Sequence, residues 1–326
     1  MKEALLDTLL GLFDAAGQGA YVSGEQISER LGCSRAAVWK HITALRAQGY
    51  EFEAVSRKGY RLLQKPERLT EEKLFSGLKT KKFGHVLKLL DTVTSTQDIA
   101  KQIVREGAPE GTVVLAEVQT AGRGRMGRAW HSPAGHGVWM SLILRPPIPL
   151  PLTPQLTLLT AVALCRAIRT VSGVHAVIKW PNDILVEGRK VSGILLESTA
   201  EDERLSEVIV GMGVSVNLRE EDYPPELLLK ATSLRIEAGR ILNRIELIQE
   251  ILHELEQLYQ LYLTEGFAPI RLLWEALTSS LHRPIRVHTA RGVVEGTADS
   301  IDELGALRVR QADGELKTIY SGDMEW

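Results

Sequence analysis

Cysteine is almost missing from this sequence: Cys33 and Cys165 are the only two in 326 residues. They stand far apart and lack metal-ligand spacing. That argues against a disulfide framework and a cysteine-based zinc site, and predicts two buried, reduced thiols. An excess of one charge is missing too. The 39 Lys and Arg against 41 Asp and Glu leave a net charge of −2, so any contact with nucleic acid must come from a local basic patch. No run of about 18 apolar residues is evident, which predicts no membrane span. The N-terminus, with Glu3 and Asp7 in an amphipathic pattern, has no apolar leader core. A cytoplasmic protein with no membrane partner is the expectation. What is present is 44% hydrophobic residues, enough to fill two or three domains.

Residues 1–65 read as a separate small domain. Leu5, Leu6, Leu9, Leu10 and Phe13 have helical spacing. Ser23-Gly-Glu-Gln26 is a capping box opening a short helix that stops near Leu31-Gly32. Ser34 caps the next helix, whose apolar stripe is Val38, Ile42 and Leu45, and Gly49 closes it. Two helices joined by a tight turn make a helix-turn-helix. The other face of its second helix carries Arg35, Ala36, Trp39, Lys40, Thr43 and Arg46, basic and small residues suited to a major groove. A hairpin follows around Ser56-Arg57-Lys58-Gly59, a wing with a basic tip at Arg57 and Lys58. The alternative is a protein-interaction domain with a solvated basic face.

Gln64 to Arg68 is polar and holds Pro66, so it reads as a linker. Residues 66–278 alternate strand-like and helix-like runs, giving a mixed α/β domain. Strands are expected at 86–90, 113–118, 138–144, 176–179, 184–186, 191–197 and 208–216, and helices at 95–106, 153–170 and 243–265. Residues 279–326 turn to short alternating runs split by Gly and Asp, as in a small SH3-like β-barrel. The fold class expected is thus a multidomain α/β protein: winged helix, central α/β domain and C-terminal barrel.

The densest chemistry lies at Gly122-Arg-Gly-Arg-Met-Gly-Arg-Ala-Trp130, where arginines alternate with glycines after the strand ending at Val118. Arginine forks match phosphate or carboxylate oxygens, and glycines let the backbone close around an anion. The loop is neither a Walker A loop nor a dinucleotide fingerprint, and alone it also fits an unselective polyanion-binding turn. A second cluster, Lys179-Trp-Pro-Asn-Asp183, ends another strand and offers a stacking face and polar atoms. Gly188-Arg189 then reads as a type II′ hairpin turn with Gly first. Lys190 opens the returning strand, with Gly193 three residues on to admit a ligand. Ser95 is an N-cap that could also bond a ligand, and Gly211-Met-Gly-Val-Ser215 is a glycine-rich strand.

These four segments, in this order, resemble the biotin–protein ligases. The full chain, with its winged helix in front and SH3-like domain behind, resembles their bifunctional ligase and biotin operon repressor form. The resemblance implies activation of biotin with ATP to biotinyl-5′-AMP, assisted by Mg2+, and transfer to one lysine of a biotin carboxyl carrier protein such as that of acetyl-CoA carboxylase or another biotin carboxylase. It implies Ser95, Thr96, Gln97, Gln119, Gly122, Arg123, Arg125, Lys190 and Gly193 around biotin. Around ATP and the adenylate it implies Arg123, Arg125, Arg128, Trp130, Lys179, Trp180, Asn182, Asp183 and Ser215. Lys190 would meet the biotin carboxylate, and Arg125 would keep the adenylate from escaping. No metal-ligating residue is assigned. Gln97 and Ser215 stand where many relatives carry Asn. The resemblance further implies a homodimer when adenylate-bound, seated on operator DNA of biotin-synthesis genes. Other readings are a ligase without a DNA-binding role, a lipoate-type ligase, whose Arg-Arg-x-x-Gly-Gly-Gly pattern is absent, and a small-molecule-sensing regulator without catalysis.

Overall fold

The computed structural model describes residues 2–17, 19–47, 49–65, 68–201 and 204–326. Pro66 and Glu67 of the expected linker lie outside the described residues. The chain forms two compact units: Met1–Arg68 with the short segment Pro133–His136, and Leu69–Ser132 with Gly137–Trp326.

The first unit contains α1 (Lys2–Ala16), β1 (Tyr21–Val22), α2 (Gly24–Leu31), α3 (Arg35–Ala47), β2 (Glu51–Val55) and β3 (Gly59–Gln64). The expected caps are present. The Ser23 hydroxyl accepts from the Gln26 N–H in a capping box, and Gly32 ends α2 in the left-handed region. Eight buried apolar side chains, among them Leu9, Phe13, Ile27, Val38, Ile42 and Leu45, form the core. The wing is β2 paired antiparallel to β3, which in turn pairs with β1. Gly59 is forced at its base: its φ is +101°, and a Cβ would lie 2.2 Å from the Val22 carbonyl oxygen.

The second unit begins with α4 (Glu71–Ser76), β4 (Leu87–Val93), α5 (Thr96–Arg105), β5 (Val113–Gln119), β6 (Gly137–Leu144) and α6 (Thr153–Ser172). It continues through β7 (Val177–Lys179), β8 (Asp183–Val186), β9 (Arg189–Glu201), β10 (Arg204–Ser215), α7 (Leu234–Ala238), α8 (Arg244–Glu265) and α9 (Phe267–Leu277). Its seven-stranded sheet runs β4-β5-β6-β10-β9-β8-β7, parallel only between β4 and β5. Strand periodicity divides two faces. Val208, Val210, Met212 and Val214 of β10 join the large core with α6 and α8. Ile209 turns the other way, onto Ala100 and Ile103 of α5. On that second face β10 continues as Gly211, Gly213 and Ser215, so beyond the short α5 the sheet has a floor without side-chain bulk.

Several expectations change. The hairpin turn is Glu187-Gly188, not Gly188-Arg189: Val186 pairs with Arg189, and φ is +47° and +76° at the two turn residues. That is the type I′ sign pattern, whose twist matches the strands, rather than type II′. Helix α9 was not expected. Gly266 ends α8, and Pro269 falls in the first turn of α9, where a missing N–H is harmless. One helical segment, Leu150–Ser172, is long and apolar enough to cross a membrane, but 67% of its apolar window is buried as core. Both cysteines are free. Cys165 is buried, which pushes its thiol up to about 11, whereas Cys33 is only half-buried.

The C-terminal part has β11 (Pro284–Thr289), β12 (Gly292–Ile301), β13 (Leu307–Arg310), β14 (Leu316–Ile319) and an unexpected short β15 (Asp323–Glu325). They form one antiparallel sheet in the order β14-β13-β12-β11-β15. Its apolar residues, such as Val287 and Val309, belong to the same continuous core as the central sheet.

Candidate functional site

A cavity of about 210 Å³ opens on the glycine floor, between α5, the Gly-Arg loop, the ends of β8 and β9, and the segment at 223–231. The Gly-Arg loop is folded back on itself. Trp130 N–H donates to the Gly122 carbonyl at 2.8 Å, and Gly124 N–H to the Arg128 carbonyl at 2.7 Å. Gly122 is needed at this pinch, since a Cβ would lie 2.7 Å from the Trp130 oxygen. The Trp130 ring lies over the floor: a Cβ on Gly213 would lie 2.4 Å from its Nε1, and one on Gly193 3.1 Å from its six-membered ring. The Lys190 ammonium stands 5.2 Å from the Trp130 ring.

The three loop arginines differ in electrostatics. Arg123 makes a two-pronged pair with Asp98, at 2.9 and 2.5 Å. That bond holds the Asp98 carboxyl below its usual range and raises the Arg123 guanidinium. Arg128 pairs with Asp323 of β15. Arg125 is half-buried, and the only hydrogen bond of its guanidinium among the described residues goes to the neutral Asn182 Oδ1, at 2.8 Å. Burial lowers its pKa, yet a guanidinium remains charged. Arg125 is therefore the loop cation without a carboxylate neighbour in bonding range.

Lys190 is fixed through its backbone. Its N–H donates to the Lys230 carbonyl, and its carbonyl accepts from the Thr232 N–H, both at 2.9 Å. Its ammonium stands 2.7 Å from Asp183 Oδ1, an ion pair off the hydrogen-bond direction. At the end of the cavity under α5 lies a buried polar cluster. Gln119 Oε1 accepts from Thr96 N–H at 2.9 Å, and Gln119 Nε2 donates to Ser132 Oγ at 3.0 Å. The Ser141 hydroxyl lies 2.8 Å from both Thr96 Oγ1 and Gln97 Oε1. Gln97 Nε2 donates to Glu197 Oε2 at 2.9 Å. Ser95 caps α5 by accepting from Gln97 N–H at 3.3 Å.

Most expected site residues meet here. Ser95, Thr96, Gln97, Gln119, Arg123, Arg125, Arg128, Trp130, Asn182, Asp183, Lys190, Gly193 and Ser215 all line the cavity. Three do not. Gly122 shapes the loop base. Trp180, which the sequence offered as a stacking face, is 2% exposed and packed into the core. Lys179 points instead over the Trp326 ring, at 4.7 Å, and burial lowers its pKa. On the first unit, Arg35, Ala36, Trp39, Lys40 and Thr43 of α3 and Arg57 and Lys58 of the wing are exposed. Arg46 differs. It is half-buried and donates to the Phe52 carbonyl at 2.8 Å, tying α3 to β2.

A biotin/lipoate A/B protein ligase family model matches residues 89–215, an HTH domain model residues 16–61, and a biotin protein ligase C-terminal domain model residues 281–325. The bifunctional ligase/repressor BirA of Bacillus subtilis (strain 168) is 50% identical over 325 residues, covering 100% of this chain and 99% of that protein. The chain belongs to the BirA family of bifunctional ligase/repressors. The Escherichia coli (strain K12) BirA is 31% identical over 97% of this chain and 96% of its own length. The biotin protein ligase from Aquifex aeolicus, solved in complex with biotin and ATP, superposes with a TM-score of 0.64 at 29% identity, covering 74% of this chain and 98% of that one.

Sequence reasoning missed one wall of this BirA-family site. Tyr223, Leu227, Lys230 and Ala231 line the cavity, and Asp323 reaches it from β15. Their segment carries no motif. Its one signal is Pro224-Pro225, which marks an irregular connection. Ser141 was hidden inside an otherwise apolar strand, where its polarity was the available clue.

Proposed function

We propose that this chain activates biotin with ATP, transfers the biotinyl group to one lysine of a biotin carboxyl carrier protein, and represses biotin-synthesis genes as an adenylate-bound dimer. Arg125 is the observation that carries the ligase reading: a half-buried guanidinium, with only the neutral Asn182 as partner, beside Lys190 in one cavity. Two anionic substrates repel each other, and fixed cations in a dry site offset that repulsion. A biotin carboxylate oxygen attacks the α-phosphorus of ATP. The bond to the bridging oxygen breaks, and pyrophosphate leaves with its electron pair. Arg125 and Lys190 stabilise the charge that builds on these oxygens.

The lysine nitrogen of the carrier then attacks the acyl carbon. The acyl–phosphate bond breaks, AMP leaves, and the nitrogen gives up its proton to solvent. In this step the site aligns two groups and excludes water. The buried polar cluster of Thr96, Gln97 and Gln119, with Ser95 and Arg123 beside it, suits the ureido ring of biotin, and Gly193 leaves room on the floor for the Lys190 ammonium that meets the biotin carboxylate. Arg128, Trp130, Asn182, Asp183 and Ser215 are placed for the nucleotide. Lys179 and Trp180 support that wall from behind.

The donor set does not fit a resident magnesium. No group of three His, Cys, Asp or Glu side chains is gathered among the described residues, and the cavity carboxylates Asp183 and Asp323 are already paired. We therefore assign magnesium to the ATP phosphates it arrives with and derive no step through it. Residues 1–65 form the DNA-binding domain in this reading, 66–278 the ligase and 279–326 the C-terminal domain. An edge of the central sheet pairs two copies, and the protein works in the cytoplasm.

The test is incubation of the protein with biotin, ATP-magnesium and a carrier domain, followed by mass spectrometry of the carrier-lysine peptide. Biotin-dependent exchange of pyrophosphate into ATP reads the first step alone. A carrier that stays unmodified, with no exchange, removes the ligase reading.

A further inference from the structure

The recognition helix α3 carries a side chain that packing does not explain. Trp39 is 57% exposed. No side-chain hydrogen bond, ring contact or cation partner involves it among the described residues, although the other large apolar side chains of this helix, Val38, Ile42 and Leu45, are fully buried. One turn before and one turn after it stand Ala36 and Thr43, both exposed and too small to shield the indole. Arg35 and Lys40 stand on the same helix at i−4 and i+1 from Trp39, and the wing carries Arg57 and Lys58; all four are exposed, Arg35 with Glu25 at 3.6 Å. A protein partner matched to an indole would want a desolvated apolar pocket. An exposed indole on a helix that also carries exposed cations matches a phosphate-walled groove instead.

The major groove offers one apolar group on its base edges, the thymine C5-methyl. We propose that Trp39 is the sequence-reading residue of α3, and that it reads thymine through that methyl group, with Ala36 and Thr43 leaving room for the bases on either side. This rests on the DNA-binding reading above. Phosphate contacts made by the basic side chains position the helix and carry no sequence information, whereas an indole against a base edge does. Discrimination comes from burying the methyl.

Deoxyuridine in place of thymidine removes that methyl and keeps the base pair, which makes the test specific. The full chain, with biotin and ATP-magnesium, first selects duplexes from a random-sequence pool. Each thymine of an enriched duplex is then replaced singly by deoxyuridine and binding is titrated. The wild type should weaken about fourfold at each contacted thymine, the transfer free energy of one buried methyl. Trp39→Ala should bind enriched duplexes more weakly and lose nothing further at those same positions. Trp39→Phe, which keeps an apolar ring, should retain part of the sensitivity. Unchanged melting and carrier biotinylation show that both variants are folded. Equal sensitivity to deoxyuridine in wild type and Trp39→Ala overturns the proposal, as does a wild type insensitive at every thymine. If no duplex is enriched while biotinylation proceeds, the DNA-binding reading itself fails, and the proposal with it.

Discussion

At the scale of single residues, three similar arginines in one loop have three different electrostatic fates. Arg123 and Arg128 are ion-paired with Asp98 and Asp323, so Arg125 is the loop cation whose charge no bonded carboxylate offsets. Arg125→Gly should therefore form the adenylate more slowly and, above all, release it, and lysines of bystander proteins should become biotinylated. Retention of adenylate on a desalting column reads the leak, and wild-type retention contradicts the role given to Arg125. Lys190→Ala removes the cation assigned to the biotin carboxylate, and the rate of pyrophosphate exchange should fall about 10²-fold, as for loss of one charge-stabilising donor. A third residue makes a pH statement. Burial pushes the Tyr223 phenol up to about 12. A phenol raised in the fold stays neutral at pH values where the unfolded chain ionises. Its stabilising share is complete below the ordinary tyrosine pKa of about 10 and is lost as pH climbs to about 12. Tyr223→Phe should make the alkaline fall of melting temperature shallower, and an identical slope in the two proteins would count against burial as the cause.

At the scale of elements, legibility followed chemistry. Capped helices such as α2, with Ser23 and Gln26, and strands with strict alternation were readable, because local hydrogen bonding and period-2 burial are written in adjacent residues. The Gly-Arg loop and Lys190 were readable as parts of one site because few folds need that combination. Three things were not. Helix α9 hides behind Pro269, which counts as a breaker unless its place in the first turn is known. Strand β15 is three residues long and exists through pairing with β11, a long-range fact. Trp180 looks like a ligand platform in sequence and is core in the fold, since burial depends on what packs from elsewhere. The glycine floor carries a prediction at this scale. A Cβ at Gly213 would press on Trp130 at 2.4 Å, so Gly213→Ala should push the indole up into the cavity and weaken biotin binding far more than it lowers stability. Calorimetric titration of biotin beside a thermal melt separates the two effects. Loss of stability with unchanged biotin affinity would show that Trp130 moves away from the ligand instead.

At the scale of the whole molecule, the near-zero net charge of −2 has a consequence for the DNA reading. The global field does not attract DNA, so the phosphate contacts must come from the few exposed cations of the first unit, and each should be visible in the salt dependence of binding. Lys40 is exposed on α3 beside Trp39. Lys40→Ala should weaken binding to all duplexes by a similar factor and reduce the slope of log affinity against log salt by about one, as for loss of one phosphate contact. Arg46→Ala should behave differently. Its guanidinium holds the Phe52 carbonyl, so its loss should lower the melting temperature of the first unit while leaving the salt slope intact. Neither change touches the cavity, whose lining lies entirely in the second unit, and carrier biotinylation should continue at the wild-type rate in both. Titrations at several salt concentrations, run beside a biotinylation assay, distinguish these outcomes. A Lys40→Ala protein with an unchanged slope would remove Lys40 from the phosphate contacts. A fall in biotinylation would show that the first unit bears on catalysis, and the assignment of separate tasks to the two units would have to be given up.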